Sequence, residues 1–427
     1  MILLEVRQAK ELGYTLTTVK SEKFKTNLIT LNFQSKLDKE TVTARSLLPF
    51  ILRAGCEKYP SKKQLNTYLE TMYGASLSVN VDKKGQTHNI KFFISLANEK
   101  FLQNEGTLLT QAVELLKEIL LHPLLENKAF KQNVVEVEKR LLQEYIESIY
   151  DDKVSYSLQK LVEIMCQNEA FATNSIGYTE DLQTLTSQDI YQAYESMLKH
   201  DELSVSVVGD IDHEHVQTIF KEHLVLTSQP VMCDIIDHEE KVIESVVIEE
   251  EIQNIAQGKL NIGYRTHTRI DDNDYFALLV FNGMFGGYAH SKLFMNVREK
   301  ASLCYYCGTR LDNYKGLMYV YSGIETKDYD AALKIIGEQL DDMKAGKFTE
   351  NELELAKKSL INSKLESLDN ASGMLAHVSI NKLLPEAITV EEWVSKVEAI
   401  DEQAIISVSN KIEQDSIFFL KGQEVSE

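Results

Sequence analysis

Proline and glycine are scarce, at 5 and 19 among 427 residues. Collagen-like repeats, flexible linkers and broadly disordered chains need far more of both, so those classes are excluded. No stretch approaches the ~20 apolar residues that span a bilayer. The longest apolar-rich segment, Ala277 to Phe285, is about half that length. The opening MILLEVRQAKELGY has no basic start and no extended apolar core, so no secretory signal is expected and the cytoplasm is the expected compartment. The five cysteines, Cys56, Cys166, Cys233, Cys304 and Cys307, are odd in number and scattered, which is not a disulfide framework. Cys304 and Cys307 have C-x-x-C spacing. However, LCYYCGTRL reads as a strand, and residues three apart on a strand face opposite sides, so neither redox nor metal use of the pair is expected. Positive charge is also short. Lys and Arg total 45 against 65 Asp and Glu, a net charge of −20. Such a surface repels nucleic acid and anionic membranes on average. It suits a basic or neutral partner, or solubility alone.

Familiar catalytic signatures are missing as well. There is no GxxxxGK[ST], no GxGxxG, no GxSxG, no HExxH and no HxxEH. The one glycine cluster, Gly283 to Gly287, has no Lys-Ser/Thr after it and reads as a backbone loop beside a helix. His213, His215 and His223 are the only close histidines. Residues two apart do not share a helical face, so they read as surface or capping groups. No spacing of Ser, Cys and His marks a nucleophilic triad.

What is present is a long-range repeat. The alternating strand Leu28 to Phe33 is followed by charged residues and an apolar helix from Leu47 to Leu52, ending at Gly55. The pattern recurs 232 positions later as the strand Leu260 to Arg265, the charged stretch Asp271 to Asp274, the helix Ala277 to Phe285 and Gly287. Both halves also close alike. The first closes with a helix over Asp189–Lys199 and the strand Leu203–Gly209, the second with a helix over Glu402–Lys411 and the strand Ser416–Gly422. A repeat of this length means two tandem domains, expected over 1–225 and 248–427 with a linker over 226–247. Ala75–Val81 with Thr87–Leu96, and Arg310–Ser322, read as strand pairs. Helices are expected over Gly106–Leu121, Lys128–Ser148 and Tyr329–Lys344. Capping boxes open at Thr186, Thr349 and Thr389, the last two before helices at Asn351–Leu368 and Glu391–Ala399. The class is α+β: two homologous domains, each a mainly antiparallel sheet with helices on one face.

These segments resemble the M16 metallopeptidases, the pitrilysin, insulin-degrading and mitochondrial processing peptidase group. Lys25–Phe33, Leu48–Ser61, Tyr73-Gly-Ala75, the acidic helix Val135–Asp152 and Val207-Val-Gly-Asp210 carry the likeness in the first half. In the second half it rests on Gly286 to Lys300, ending Arg-Glu-Lys, followed by Leu303-Cys-Tyr305. The family's zinc motif, HxxEH, puts two histidine ligands on one helical face with a glutamate base between them. Alignment on Gly55 places those positions at Ser46, Pro49 and Phe50, none of which can do that chemistry. The third ligand position falls at Tyr145, with Glu144 about 100° away on the helix. The resemblance therefore implies a degenerate chain that binds no zinc of its own. Arg298 and Tyr305 match the pair with which active members hold the substrate backbone. Physically, both can donate hydrogen bonds to peptide carbonyls.

The resemblance further implies a division of labour, most like that of the degenerate M16 proteins of Gram-positive bacteria that accompany an intact relative. This chain would be the non-catalytic subunit of a dimer, paired with an HxxEH-bearing homologue that holds the zinc, or with itself. It would have no activity alone, and Arg298 and Tyr305 would position a peptide for proteolysis. Two alternatives stand beside this. One is a free-standing peptide-binding or scaffold protein. The other is an active zinc peptidase with a rearranged site drawing on His88, His122 or the His213 group.

Overall fold

The computed structural model describes residues 4–102 and 107–423. The first half runs β1 (Glu5–Glu11), β2 (Tyr14–Lys20), β3 (Thr26–Lys36), α1 (Val42–Ala54), α2 (Lys62–Thr71), β4 (Ser76–Lys84), β5 (Thr87–Ala97) and α3 (Leu108–Leu121). A two-residue hairpin, β6 (Leu125–Glu126) and β7 (Ala129–Phe130), leads into α4 (Gln132–Asp151) and α5 (Lys153–Met165). Then come α6 (Thr179–Thr184), α7 (Ser187–His200), β8 (Glu202–Gly209) and α8 (His213–His223). Residues 224–246 form neither helix nor strand. The second half runs β9 (Val247–Gln253), β10 (Gly258–Arg265), α9 (Tyr275–Asn282), β11 (Cys304–Asp312), β12 (Leu317–Ile324) and α10 (Tyr329–Lys344). It closes with α11 (Glu350–Ser367), α12 (Ala371–Asn381), α13 (Val390–Glu398), α14 (Glu402–Lys411) and β13 (Glu413–Gly422).

The expected duplication is visible strand by strand. The first sheet has the order β1-β2-β8-β3-β5-β4, and the second β11-β12-β10-β13-β9. Read from its far end, the second sheet repeats β2-β8-β3-β5-β4, so β1 is the one addition. In each sheet the strand next to the centre has one parallel neighbour: β2 with β8, and β9 with β13. The other pairings are antiparallel, with Leu31 opposite Phe92 and Val205, and Ile262 opposite Val320 and Ile417. The alternation of apolar residues along β3, β8, β10 and β12 fixes these registers, because a one-residue slip would turn every core side chain outward.

One face of each sheet carries its own helices. Leu47, Leu48, Ile51 and Leu52 of α1 pack with Leu115, Leu116 and Ile119 of α3 over Ile29, Leu31 and Phe92. In the second half Phe281, Leu278, Ile336 and Val408 cover Ile262 and Val320. The other face of each sheet is covered from the opposite half. Leu161 and Met165 of α5 pack on Tyr319, Phe418 and Leu420. Met374 and Val378 of α12 pack near Val19 and Val208. Both crossing helices start at sharp breaks with the same device. Asp152 caps α5 by accepting from Val154 and Ser155 amides, and Asn370 caps α12 by accepting from Gly373.

Local signals account for most elements. All three capping boxes form, at Thr186, Thr349 and Thr389. Differences are local too. The first turn expected from Lys128 is taken by β7, so α4 begins at Gln132. Gly106, the expected start of α3, lies outside the described residues. The glycine cluster is not a loop but a π-helical turn, Gly283–Gly287, continuing α9. Each half keeps its own helices on one face of its sheet, and the second face receives a helix from the other half, which no sequence window signalled.

Candidate functional site

Ser46, Pro49 and Phe50 lie on α1, where Pro49 interrupts the helical ladder because its nitrogen has no hydrogen to donate. Ser46 is fully buried, and its hydroxyl donates to the Ser175 carbonyl at 2.8 Å. The same carbonyl accepts from His88 Nε2 at 2.9 Å. Two residues on, Gly177 lies so close to α1 that a Cβ there would sit 2.5 Å from Thr43 Oγ1, on a backbone already in the left-handed region at φ 91°. Thr43 Oγ1 in turn donates to Asp181 at 2.6 Å and accepts from the Tyr178 amide. The segment from Ser175 to Asp181 is thus latched along α1, over the position where the family's first zinc ligand would stand. Phe50 is half-buried against the first core.

The third-ligand position does not complete a site. Tyr145 projects from α4 with about half its surface exposed, at 52 %. Glu144 pairs with Arg140 at 3.6 Å on the exposed surface of the same helix. Glu138, in the first half of α4, is a buried carboxyl that burial pushes up. A hydroxyl committed to a carbonyl, a proline, a phenyl ring and an outward phenol are not a zinc donor set. Among the described residues no group of three or more His, Cys, Asp or Glu side chains is arranged to hold a metal ion.

The histidines of the rearranged-site alternative are not gathered. His88 is buried on β5 between Arg45 and Ser175. His122 ends α3. His213 begins α8, where Nδ1 meets Thr18 Oγ1 at 2.6 Å and Nε2 faces Glu5 at 3.2 Å. His215 contributes its amide to the Asp212 cap, and His223 faces Glu114 at 3.3 Å.

Arg298 and Tyr305 stand on either side of one turn in the second half. Arg298 is in a π-helical turn, Phe294–Lys300, that precedes β11. Its guanidinium lies over the Phe294 ring at 4.5 Å and 3.7 Å from Glu299, with the side chain 39 % exposed. The chain then reverses through Ser302, whose φ of 55° is left-handed, and its amide donates to the Arg298 carbonyl at 3.1 Å. Tyr305 follows at the start of β11, 77 % exposed. The zinc-motif positions belong to the first half and this pair to the second.

One sequence expectation is overturned here. Tyr305 is the extra residue of a β-bulge: Tyr306 pairs with Gly323 and Cys304 with Ile324, leaving Tyr305 without an opposite number. Cys304 and Cys307 therefore stand on the same face, not on opposite faces. No glycine or turn residue marks this bulge, and only the pairing with β12 reveals it.

Comparisons with known proteins bear on this arrangement. Residues 184–360 match the family described as the peptidase M16 inactive domain. Over 418 residues the chain is 40 % identical to "Probable inactive metalloprotease YmfF" of Bacillus subtilis strain 168, covering 98 % of each. It superposes on the crystal structure of a conserved protein from Enterococcus faecalis V583 with a TM-score of 0.92 and 32 % identity, over 99 % of this chain and 100 % of that one. With a protease from Helicobacter pylori it shares the fold, at a TM-score of 0.82 and 15 % identity over 98 % of this chain and 100 % of that one.

Proposed function

The chain belongs to the M16 peptidase family as an inactive homologue, and from that membership we infer that it is the non-catalytic subunit of a zinc-dependent peptidase complex. The partner is an M16 homologue that carries HxxEH, and with it the zinc, the general base and the attacking water. This chain supplies Arg298 and Tyr305, which donate hydrogen bonds to carbonyls of an extended peptide and fix it against the partner's zinc. The complex works in the cytoplasm.

The observation that carries this reading is the contrast between the two sets of residues. At the α1 positions that replace the zinc motif the side chains are packed into the fold, with Ser46 bound to Ser175 and the adjoining segment latched on the helix. Arg298 stays partly exposed, and across one turn Tyr305 has no buried role that accounts for a phenol 77 % in solvent. A chain built this way can hold a peptide and cannot hydrolyse it.

Native mass spectrometry of the tagged protein from its own cells tests the pairing. A complex with a second subunit of similar size and one zinc is expected. A zinc-free single chain or homodimer under conditions that preserve known weak dimers would instead favour a stand-alone binding protein. Within the complex, Arg298→Ala should leave the subunits associated and lower kcat/KM on peptides about tenfold to a hundredfold, the value of a charge-assisted hydrogen bond. Unchanged kcat/KM would remove Arg298 from the proposed role.

A further inference from the structure

The bulge at Tyr305 does more than turn a phenol outward. Cys307 pairs with Ser322 and Cys304 with Ile324, and those two β12 residues, two apart, share one face. Both thiols therefore project on that face. The Ser322 hydroxyl between them donates to the Tyr306 carbonyl at 3.1 Å, and the two thiols lie close enough to bias each other's ionisation. Cys307 is buried while Cys304 is half-buried, so one sulfur is shielded and the other can be reached.

The electrostatics divide the pair in the same way. The neighbouring Cys307 thiol lowers the Cys304 thiol to about 7, against burial and with help from Ser322 and the Arg298 guanidinium. The same proximity, together with burial, raises Cys307 well above the usual thiol range. A reachable thiolate beside a protonated second thiol is the arrangement of an attacking and a resolving cysteine. Two sulfurs are only half a tetrahedral zinc site, and no third donor completes it among the described residues.

We propose that Cys304 and Cys307 form a redox pair that hydroperoxides convert reversibly into a disulfide. The Cys304 thiolate attacks one oxygen of hydrogen peroxide and the O–O bond breaks. Cys304 becomes a sulfenic acid, and the departing hydroxide takes up the proton that the thiol had released, forming water. The Cys307 sulfur then attacks the Cys304 sulfur. The S–S bond forms, the S–O bond breaks, and the hydroxide leaves as a second water with the Cys307 proton. The two sulfurs lose two electrons and the peroxide gains them. A small dithiol reverses the step by thiol–disulfide exchange. The closed ring encloses Tyr305 and Tyr306, so oxidation ties the bulge covalently.

Trypsin cuts after Lys300 and Arg310, so a single peptide, Ala301–Arg310, carries both cysteines and none of the other three. The full-length protein, reduced and freed of reductant, is treated with about one equivalent of hydrogen peroxide and digested. The expected product is that peptide lighter by two hydrogens, restored by dithiothreitol, with Cys56, Cys166 and Cys233 still open to alkylation after unfolding. Before oxidation, iodoacetamide should label Cys304 roughly tenfold faster than Cys233 at pH 7, from its larger thiolate fraction. Cys307→Ser should accumulate a dimedone-reactive sulfenic acid at Cys304, and Cys304→Ser should leave the peptide unoxidised. The proposal fails if both thiols stay reduced while the other cysteines oxidise, or if wild-type Cys304 passes to sulfinic acid without bonding to Cys307. Neither partner nor substrate enters these measurements, so they stand or fall separately from the subunit reading.

Discussion

Hydrogen bonding fixes the protonation state of His88. Arg45 Nε donates to its Nδ1 at 3.1 Å, so the ring proton is on Nε2 and is given to the Ser175 carbonyl. A second proton would set two N–H groups against each other. Burial first, and then the Arg45 charge, lower His88 from 6.5 to about 3. The unfolded chain takes up a proton near pH 6.5 and the native chain does not. The stability due to neutral His88 is therefore complete above that pH and is lost as pH falls toward 3, by about 1.4 kcal/mol per pH unit. His377, lowered to about 4 chiefly by burial, adds a like contribution over a narrower window. Urea unfolding between pH 7 and 4 should show His88→Gln with a shallower pH slope than the parent by about one proton; equal slopes would mean that His88 titrates normally. At this scale the sequence was informative about chemistry and silent about contacts. Ser46, Pro49 and Phe50 could be recognised as unable to bind zinc from residue type alone. That Ser46 and His88 share one carbonyl, 129 and 87 residues away along the chain, depends on tertiary packing.

Among the elements, helices with local signals were legible and their destinations were not. Thr186, Thr349 and Thr389 announce helix starts because their side chains bond amides three residues on, an interaction contained in a four-residue window. The hydrophobic stripe of α5 says that the helix is buried on one side, but not that the burying surface is the second sheet. The amino-terminal hairpin β1–β2 was missed for a related reason: EVRQAKE has no strand alternation, and pairing with β2 alone extends it. The bulge in β11 likewise belongs to a pair of strands and not to a sequence window. Crossing makes α5 a structural tie between halves. Leu161 is fully buried on the far sheet. Leu161→Ala should cost about 2–5 kcal/mol through the cavity left behind. Equilibrium urea unfolding measures it, and a loss under about 1 kcal/mol would mean that α5 is not held there in solution.

Over the whole molecule, a buried charge network joins first half, connection and second half. Arg265 bonds Asp415 and Glu169, each at 2.7 Å, and Lys315 pairs with both Glu169 and Asp237 of the connecting segment. The turns before β5 and after β11 grip the same segment: the Gln86 amide donates to Ile235, and the Asp237 amide to Tyr314. Burial works against the charged form of Glu169, yet hydrogen bonds from Arg265 and Lys315 outweigh it and hold the carboxyl below its ordinary range. Asp237 is lowered in the same way, with Lys315 overcoming burial. Because these values are depressed, their stabilisation is whole above the unfolded carboxylate value near 4 and is lost as pH falls through the folded ones. Glu169→Gln should destabilise by about 3 kcal/mol at pH 7, since Lys315 stays buried with one fewer anion. It should also flatten the acid limb of the stability curve below pH 4. Thermal unfolding across that range checks both, and an unchanged acid limb would assign acid lability elsewhere. The duplication behind this architecture was readable as a 232-residue offset, because β3 and β10 are central strands whose patterns are the least altered. The network was not, since its members come from five separate stretches of chain.

The reciprocal crossing of α5 and α12 also sets an order of events at the ribosome. The first sheet is complete once β8 has emerged, but the helix that covers its second face begins only at Ala371. The nascent first half must wait through some 160 further residues with Val19 and Val208 uncovered, while α5 has no second sheet to rest on. At elongation rates of about 5–20 residues per second, that is a delay on the order of ten seconds or more. Neither half is a finished folding unit when it is made, so the last step of folding is mutual: each half supplies the cover that the other lacks.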